Sequence, residues 1–127
     1  MRPLGELEKA IMDRMWSWDH AVAVREVLAD LQRERELAYT TVMTVMDNLH
    51  RKGILTRQKS GRAYVYRPAL SREAHTATFM GEVLAGAPNR TGTLLHFVEQ
   101  MSTEEAVRLR QALDQHLQQP KNVSSPD

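Results

Sequence analysis

The sequence has no cysteine among its 127 residues, which excludes disulfides, thiolate metal sites and cysteine nucleophiles together. No apolar run approaches the roughly 18 residues of a membrane span, and the opening "MRPLGELEK" has no apolar signal core. A cytoplasmic location without membrane insertion is therefore expected. Glycine-rich phosphate loops, nucleophile elbows and paired acidic motifs are also missing, so catalysis ranks last among the functions to consider. The five histidines, His20, His50, His75, His96 and His116, form no close pair at metal-ligand spacing, and no metal or other cofactor is expected.

One absence is local. Sixteen acidic residues are spread over the chain, yet none lies between Asp47 and Glu73, where Arg51, Lys52, Arg57, Lys59, Arg62, Arg67 and Arg72 all fall. The net charge of +1 thus conceals a basic segment of the kind that meets phosphate.

What is present reads as a folded globular chain, with 42% hydrophobic and 26% charged residues and a length that fits one domain or a small domain with an appendage. "LGELEKAIMDRMWSW" sets Leu4, Leu7, Ala10, Ile11, Met15 and Trp18 at helical spacing, with Trp16 and Trp18 as core anchors. "SWDHAVA" reads as a turn and a short extended piece. "VREVLADLQRERE" returns to helix, its charged tail Arg33 to Glu36 forming a wet helix end. "YTTVMTVMDNLHRKG" is a third helix, closed by Gly53. "ILTRQK" and "AYVYRP" around "SGR" then read as two strands with a tight turn, the second ended by Pro68.

Three helices followed by a hairpin are the layout of a winged helix. Beyond it, Ser71 caps "REAHTATFMGEVLAG", "GAPNRTG" breaks the chain, "TLLHFVEQM" is short and apolar, and "STEEAVRLRQALDQHLQQ" opens with a capping box from Ser102 to Glu105. The fold expected is mainly α with a small β-hairpin. It comprises a winged helix-turn-helix DNA-binding domain over 1–70, helical dimerisation elements over 71–118 and a disordered tail over 119–127.

The third helix is poor by composition. Thr40, Thr41, Thr44, Val42 and Val45 are β-branched, and each loses up to about 0.7 kcal/mol of helix propensity relative to Ala. On a helical wheel Val42, Val45, Met46 and Leu49 share one face, while Thr40, Thr41, Thr44, Asn48 and Arg51 share another. A face selected for stability alone would carry Glu, Lys and Gln. Threonine offers instead a hydroxyl for phosphate and a methyl for thymine, on a stub short enough for the helix to enter a groove. Free N–H groups at the helix start attract phosphate, with Tyr39 closing over it, while Arg51, Lys52 and the wing's Lys59, Ser60 and Arg62 flank the backbone, and only Asn48 and Arg51 offer the stronger bidentate base contacts. The partner expected is double-stranded DNA, bound mainly through phosphates and hence with a steep salt dependence.

Leu94, Leu95, Phe97, Val98 and Met101 cover nearly every side of a short helix, and Leu109, Leu113 and Leu117 continue as a narrow seam. The simplest cover is a second copy, whose twofold axis would set two recognition helices on a palindromic site. Folding back onto the winged helix is the monomeric alternative. Two other functions fit the layout less directly: a regulator responding to a small molecule, and a winged helix that binds protein rather than DNA.

In order, "LGELEKAIMDRMW", "YTTVMTVMDNLHRKGIL", "YVYRP" and "TLLHFVEQMSTEEAVRLRQAL" resemble the BlaI/MecI penicillinase-repressor family over residues 4 to about 117. The resemblance implies a homodimeric repressor on palindromic operators, relieved when a membrane sensor protease responds to β-lactam and the repressor is cut between Asn and Phe. The aligned bond here is His96 to Phe97, so the Asn is replaced. Ala38 stands where some relatives carry a capping Ser. Related copper-responsive repressors use a C-terminal cysteine motif, which this chain cannot supply.

Overall fold

In the computed structural model, which describes residues 3–119, the periodicity of the first half resolves into α1 (Glu6–Ser17), β1 (Val22–Ala23), α2 (Val24–Leu31), α3 (Tyr39–Arg51), β2 (Leu55–Ser60) and β3 (Ala63–Pro68). The strands form an antiparallel sheet in the order β1-β3-β2, with Val22 opposite Tyr66 and Arg57 opposite Tyr66 on its other edge. The short extended piece expected after α1 is therefore a sheet strand, completed by pairing with β3. This is a winged helix-turn-helix: mainly helical, with the hairpin as wing.

The core is built from the apolar stripes. Ile11 and Met15 of α1, Val27 and Leu31 of α2, Val42, Met46 and Leu49 of α3, and Leu55 and Tyr66 of the hairpin are all buried. Each such side chain contributes about 1.5–3 kcal/mol by leaving water. Met12, which falls outside the expected stripe, is buried as well. Trp16 and Trp18 are only partly buried and pack against the edge of the core, with Trp16 Nε1–H donating to the Leu70 carbonyl at 3.0 Å.

The second helix is shorter than expected. It stops at Leu31, and Arg33 to Glu36 leave the helix, with the Glu34 and Arg35 N–H groups both bonded to the Leu31 carbonyl. Arg14 of α1 holds this corner, its Nε 2.6 Å from Asp30 Oδ2 and its Nη2 3.0 Å from Glu34 Oε1. Arg33 to Glu36 are all exposed, as expected of a solvated segment, but they lie beyond the helix and Glu34 is tied back to α1. After α3, Gly53 takes φ +82°, the left-handed region in which a side chain is strained, and Ile54 N–H closes on the Leu49 carbonyl at 2.9 Å. In the wing, Gly61 at φ +67° is the first residue of a two-residue turn, as a hairpin of matching twist requires.

Two exposed ion pairs link α1 to later elements. Lys52 Nζ lies 2.7 Å from Glu8 Oε2, and Arg72 Nη1 lies 2.8 Å from Asp13 Oδ1. Partial burial works to raise the Glu8 carboxyl, but the Lys52 hydrogen bond, the Gly5 N–H and the Lys52 charge together hold it below the ordinary carboxylate range. Asp13 is likewise raised by burial and, on balance, lowered by Lys9 and Arg72. Since both carboxyls titrate lower when folded than unfolded, the stability they supply is complete above about pH 4–5 and is lost as pH falls through the folded values. Replacing Lys52 by Met should shrink that acid-side loss by under about 1 kcal/mol, read from urea midpoints at pH 3 and pH 7. An unchanged difference between the two pH values would contradict it.

Beyond the wing lie α4 (Arg72–Ala85), α5 (Arg90–Glu99) and α6 (Thr103–Gln118). The chain divides into two compact units within α4, between Glu82 and Val83. Ser71 Oγ accepts from the Ala74 N–H at the start of α4, Asn89 Oδ1 accepts from Gly92 at the start of α5, and the expected box forms between Ser102 and Glu105. None of these three helices has a buried residue. The tail expected to be disordered lies, from residue 120, outside the described residues. Among the described residues no helix is long and apolar enough to cross a membrane.

Candidate nucleic-acid interface

The two faces read from the third helix separate cleanly in three dimensions. Val42, Met46 and Leu49 have no exposed surface and Val45, at the edge of the stripe, is half-buried, whereas Tyr39, Thr40, Thr41, Thr44, Asn48 and Arg51 are all exposed. Burial of one stripe fixes the rotation of α3, and its threonine face is turned to solvent as a consequence. Ala38 precedes the helix without a side-chain cap. The N–H groups of Tyr39 and Thr40 find no acceptor among the described residues, the first intrahelical bonds being those of Thr41 and Val42 to the Ala38 carbonyl. An uncapped start leaves donors for an anion.

The wing is anchored at its base by Leu55 and Tyr66 and exposed from Gln58 to Tyr64, so Lys59, Ser60 and Arg62 lie at a projecting tip. Between the wing and the start of α3 is an open cleft of about 250 Å³, lined by Arg25, Tyr39, Met43, Arg62 and Tyr64 among others. Arg25 and Tyr64 were not singled out by the sequence reading. Arg25 stands outside the acid-free segment and reaches the cleft only because β1 pairs with β3, a link that no local pattern in "AVAVREV" announces.

The basic segment is less positive than its composition implies. Of its seven cations, Arg51 and Arg57 both pair with Asp47, at 3.0 and 2.9 Å, Lys52 pairs with Glu8 and Arg72 with Asp13. Only Lys59, Arg62 and Arg67 have no ion pair among the described residues, and Arg25 joins them in that state. The compensating acids come from outside the gap. Unpaired positive charge near the hydroxyl-bearing helix thus comes from Arg62 of the wing and Arg25 of α2, which line one cleft with Tyr39, and from Lys59 at the wing tip. Among the described residues no three His, Asp or Glu side chains converge as metal ligands would.

In the C-terminal unit Leu94, Leu95, Phe97, Val98, Leu109, Leu113 and Leu117 are exposed, Leu117 at 77% and Leu95 at 60%, and Met101 is half-buried. His96 and Phe97 lie in α5, the His96 side chain exposed and 3.2 Å from Glu99 Oε1.

The chain matches the family described as Penicillinase repressor over residues 4–115. It is 42% identical over 113 residues to "Transcriptional regulator BlaI" of Mycobacterium tuberculosis, covering 87% of this chain and 82% of that protein. It is 27% identical over 124 residues to "Penicillinase repressor" of Bacillus licheniformis, covering 93% and 94%. The solution structure of the DNA-binding domain of the repressor BlaI superposes with a TM-score of 0.49 at 25% identity, covering 57% of this chain and 90% of that one. With the family matched across all but the first few residues and the last dozen, and the winged helix evident in the fold itself, the chain belongs to the penicillinase-repressor (BlaI/MecI) family of transcriptional repressors, which are not enzymes.

Proposed function

We propose that the protein represses transcription as a homodimer that lays the threonine face of α3 into the major groove of each half of a palindromic operator. The observation that carries this reading is the exposed face of Thr40, Thr41, Thr44, Asn48 and Arg51 beside a wing with unpaired cations, on a helix that buries Val42, Met46 and Leu49 on its opposite side. Tyr39 and the unbonded N–H groups at the start of α3 hold a phosphate, and Lys59, Ser60 and Arg62 track the adjoining backbone. Lys52, drawn to Glu8, contributes least.

The dimer accounts for α5 and α6. Their leucines and Phe97 are left between 37% and 77% exposed, and exposed apolar surface of that extent is unfavourable in water. Release would follow from loss of this pairing. A cut between His96 and Phe97 by a membrane sensor protease would separate Leu94 and Leu95 from α6, and each winged helix would then bind alone. Mass spectrometry of the chain recovered from β-lactam-treated cells should show the two fragments. A chain that stays intact while repression is lifted would contradict release by cutting.

Selection of 30-bp duplexes from a randomised pool, followed by sedimentation of the complex, tests the whole reading. A symmetric enriched site carrying two chains is the expected result, and failure to retain any duplex contradicts it. Arg25→Ala should weaken binding roughly 3- to 10-fold on all sequences alike and lower the salt slope by about 1 per subunit, as loss of a phosphate contact does. An unchanged slope would remove Arg25 from the interface.

A further inference from the structure

We infer that Asp47 is a specificity-determining residue, a buttress that keeps Arg51 from neutralising phosphate while leaving its remaining guanidinium donors for a base edge. The inference rests on the reading of α3 as the helix that enters the groove.

Asp47 is the only acid on α3. Its two oxygens serve different ends. Oδ1 accepts from Arg57 Nη1 at 2.9 Å, and the Arg57 guanidinium lies 4.1 Å above the Tyr64 ring, so this oxygen fastens both wing strands to α3. Oδ2 pairs with Arg51 Nη2 at 3.0 Å across one turn of the helix. The Arg57 side chain is 25% exposed, the Arg51 side chain 74%. One cation is built into the protein; the other stands out from it, held at one nitrogen.

Guanidinium carries five donors in a rigid fork, and one pairing through Nη2 leaves most of them unused. Drawn to Asp47 through one nitrogen, the group keeps its other donors available, and a guanine O6/N7 pair accepts two of them. Toward phosphate the same carboxylate acts in the opposite sense. Its single charge, shared with Arg57, offsets part of that of Arg51, so the cluster attracts a backbone that every sequence shares less than two free arginines would. Discrimination is a difference between two affinities, and a negative group at the interface lowers the non-specific one.

Asp47→Asn, compared with the wild-type chain on its selected duplex and on a random-sequence duplex, tests the inference. The substitution should tighten binding to random DNA by roughly 5- to 10-fold at low salt and steepen its salt slope by about 1 per subunit. The selected duplex should gain less, so that the ratio between the two falls. Adding Arg51→Ala should remove the gain. Because loss of the Arg57 contact can loosen the wing, Arg51→Ala alone provides a second test. It should weaken the selected duplex at least about 10-fold more than the random one, the loss expected of a bidentate base contact. Equal losses on both duplexes, or an Asp47→Asn chain with unchanged affinity and slope on random DNA, would overturn the inference while leaving DNA binding intact. A wild-type chain that retains no duplex would overturn both.

Discussion

Replacing Leu95 and Leu113 together by Asp should leave the chain monomeric at micromolar concentration and cost on the order of 10²- to 10⁴-fold in affinity for a duplex with two half-sites. Both side chains are exposed, at 60% and 51%, so the substitutions open no cavity in the chain that carries them. What they remove is apolar area that a second copy would cover, and what they add is a like charge on each side of a twofold contact. Affinity for a single half-site should stay as it was, since α1 to α3 and the wing lie in the other unit. Sedimentation and fluorescence anisotropy on one-site and two-site duplexes separate the two effects. A dimer that survives, or equal losses on both duplexes, would assign the exposed leucines another role.

Thr44→Glu should abolish measurable binding, with a loss above about 100-fold, because it sets a carboxylate in the middle of the face proposed to enter the groove and like-charge contacts cost several kcal/mol. The same change should leave thermal stability equal or slightly higher. Thr44 is exposed, and Glu is the better helix former, by a few tenths of a kcal/mol. A substitution that holds or improves the fold while removing the activity isolates the surface from the scaffold. Retained binding would mean that the threonine face is not the one that meets DNA.

Much of this architecture was legible because it is written in local spacing. The stripe Val42, Met46 and Leu49 set the rotation of α3, Gly53 and Gly61 marked its end and the wing turn, and Ser102 with Glu105 marked the start of α6. The sequence also showed that α5 and α6 carry more apolar surface than one short helix pair can bury. The electrostatics were misread for a physical reason. An acid-free run looks basic along the chain, but Lys52 finds Glu8 and Arg72 finds Asp13 across 44 and 59 residues. Those partners are brought in by packing, which no window of sequence reveals. The same holds for Arg25, carried to the wing by β1, and for Glu34 beyond α2, which meets Arg14 of α1.

Hydroxyl-radical footprinting of the wild-type chain on its selected duplex tests the central claim most directly. Two protected patches related by a twofold axis, centred about one helical turn apart and both lost in Thr44→Glu, are the result this account predicts. A single asymmetric patch, or protection that persists in Thr44→Glu, would contradict it.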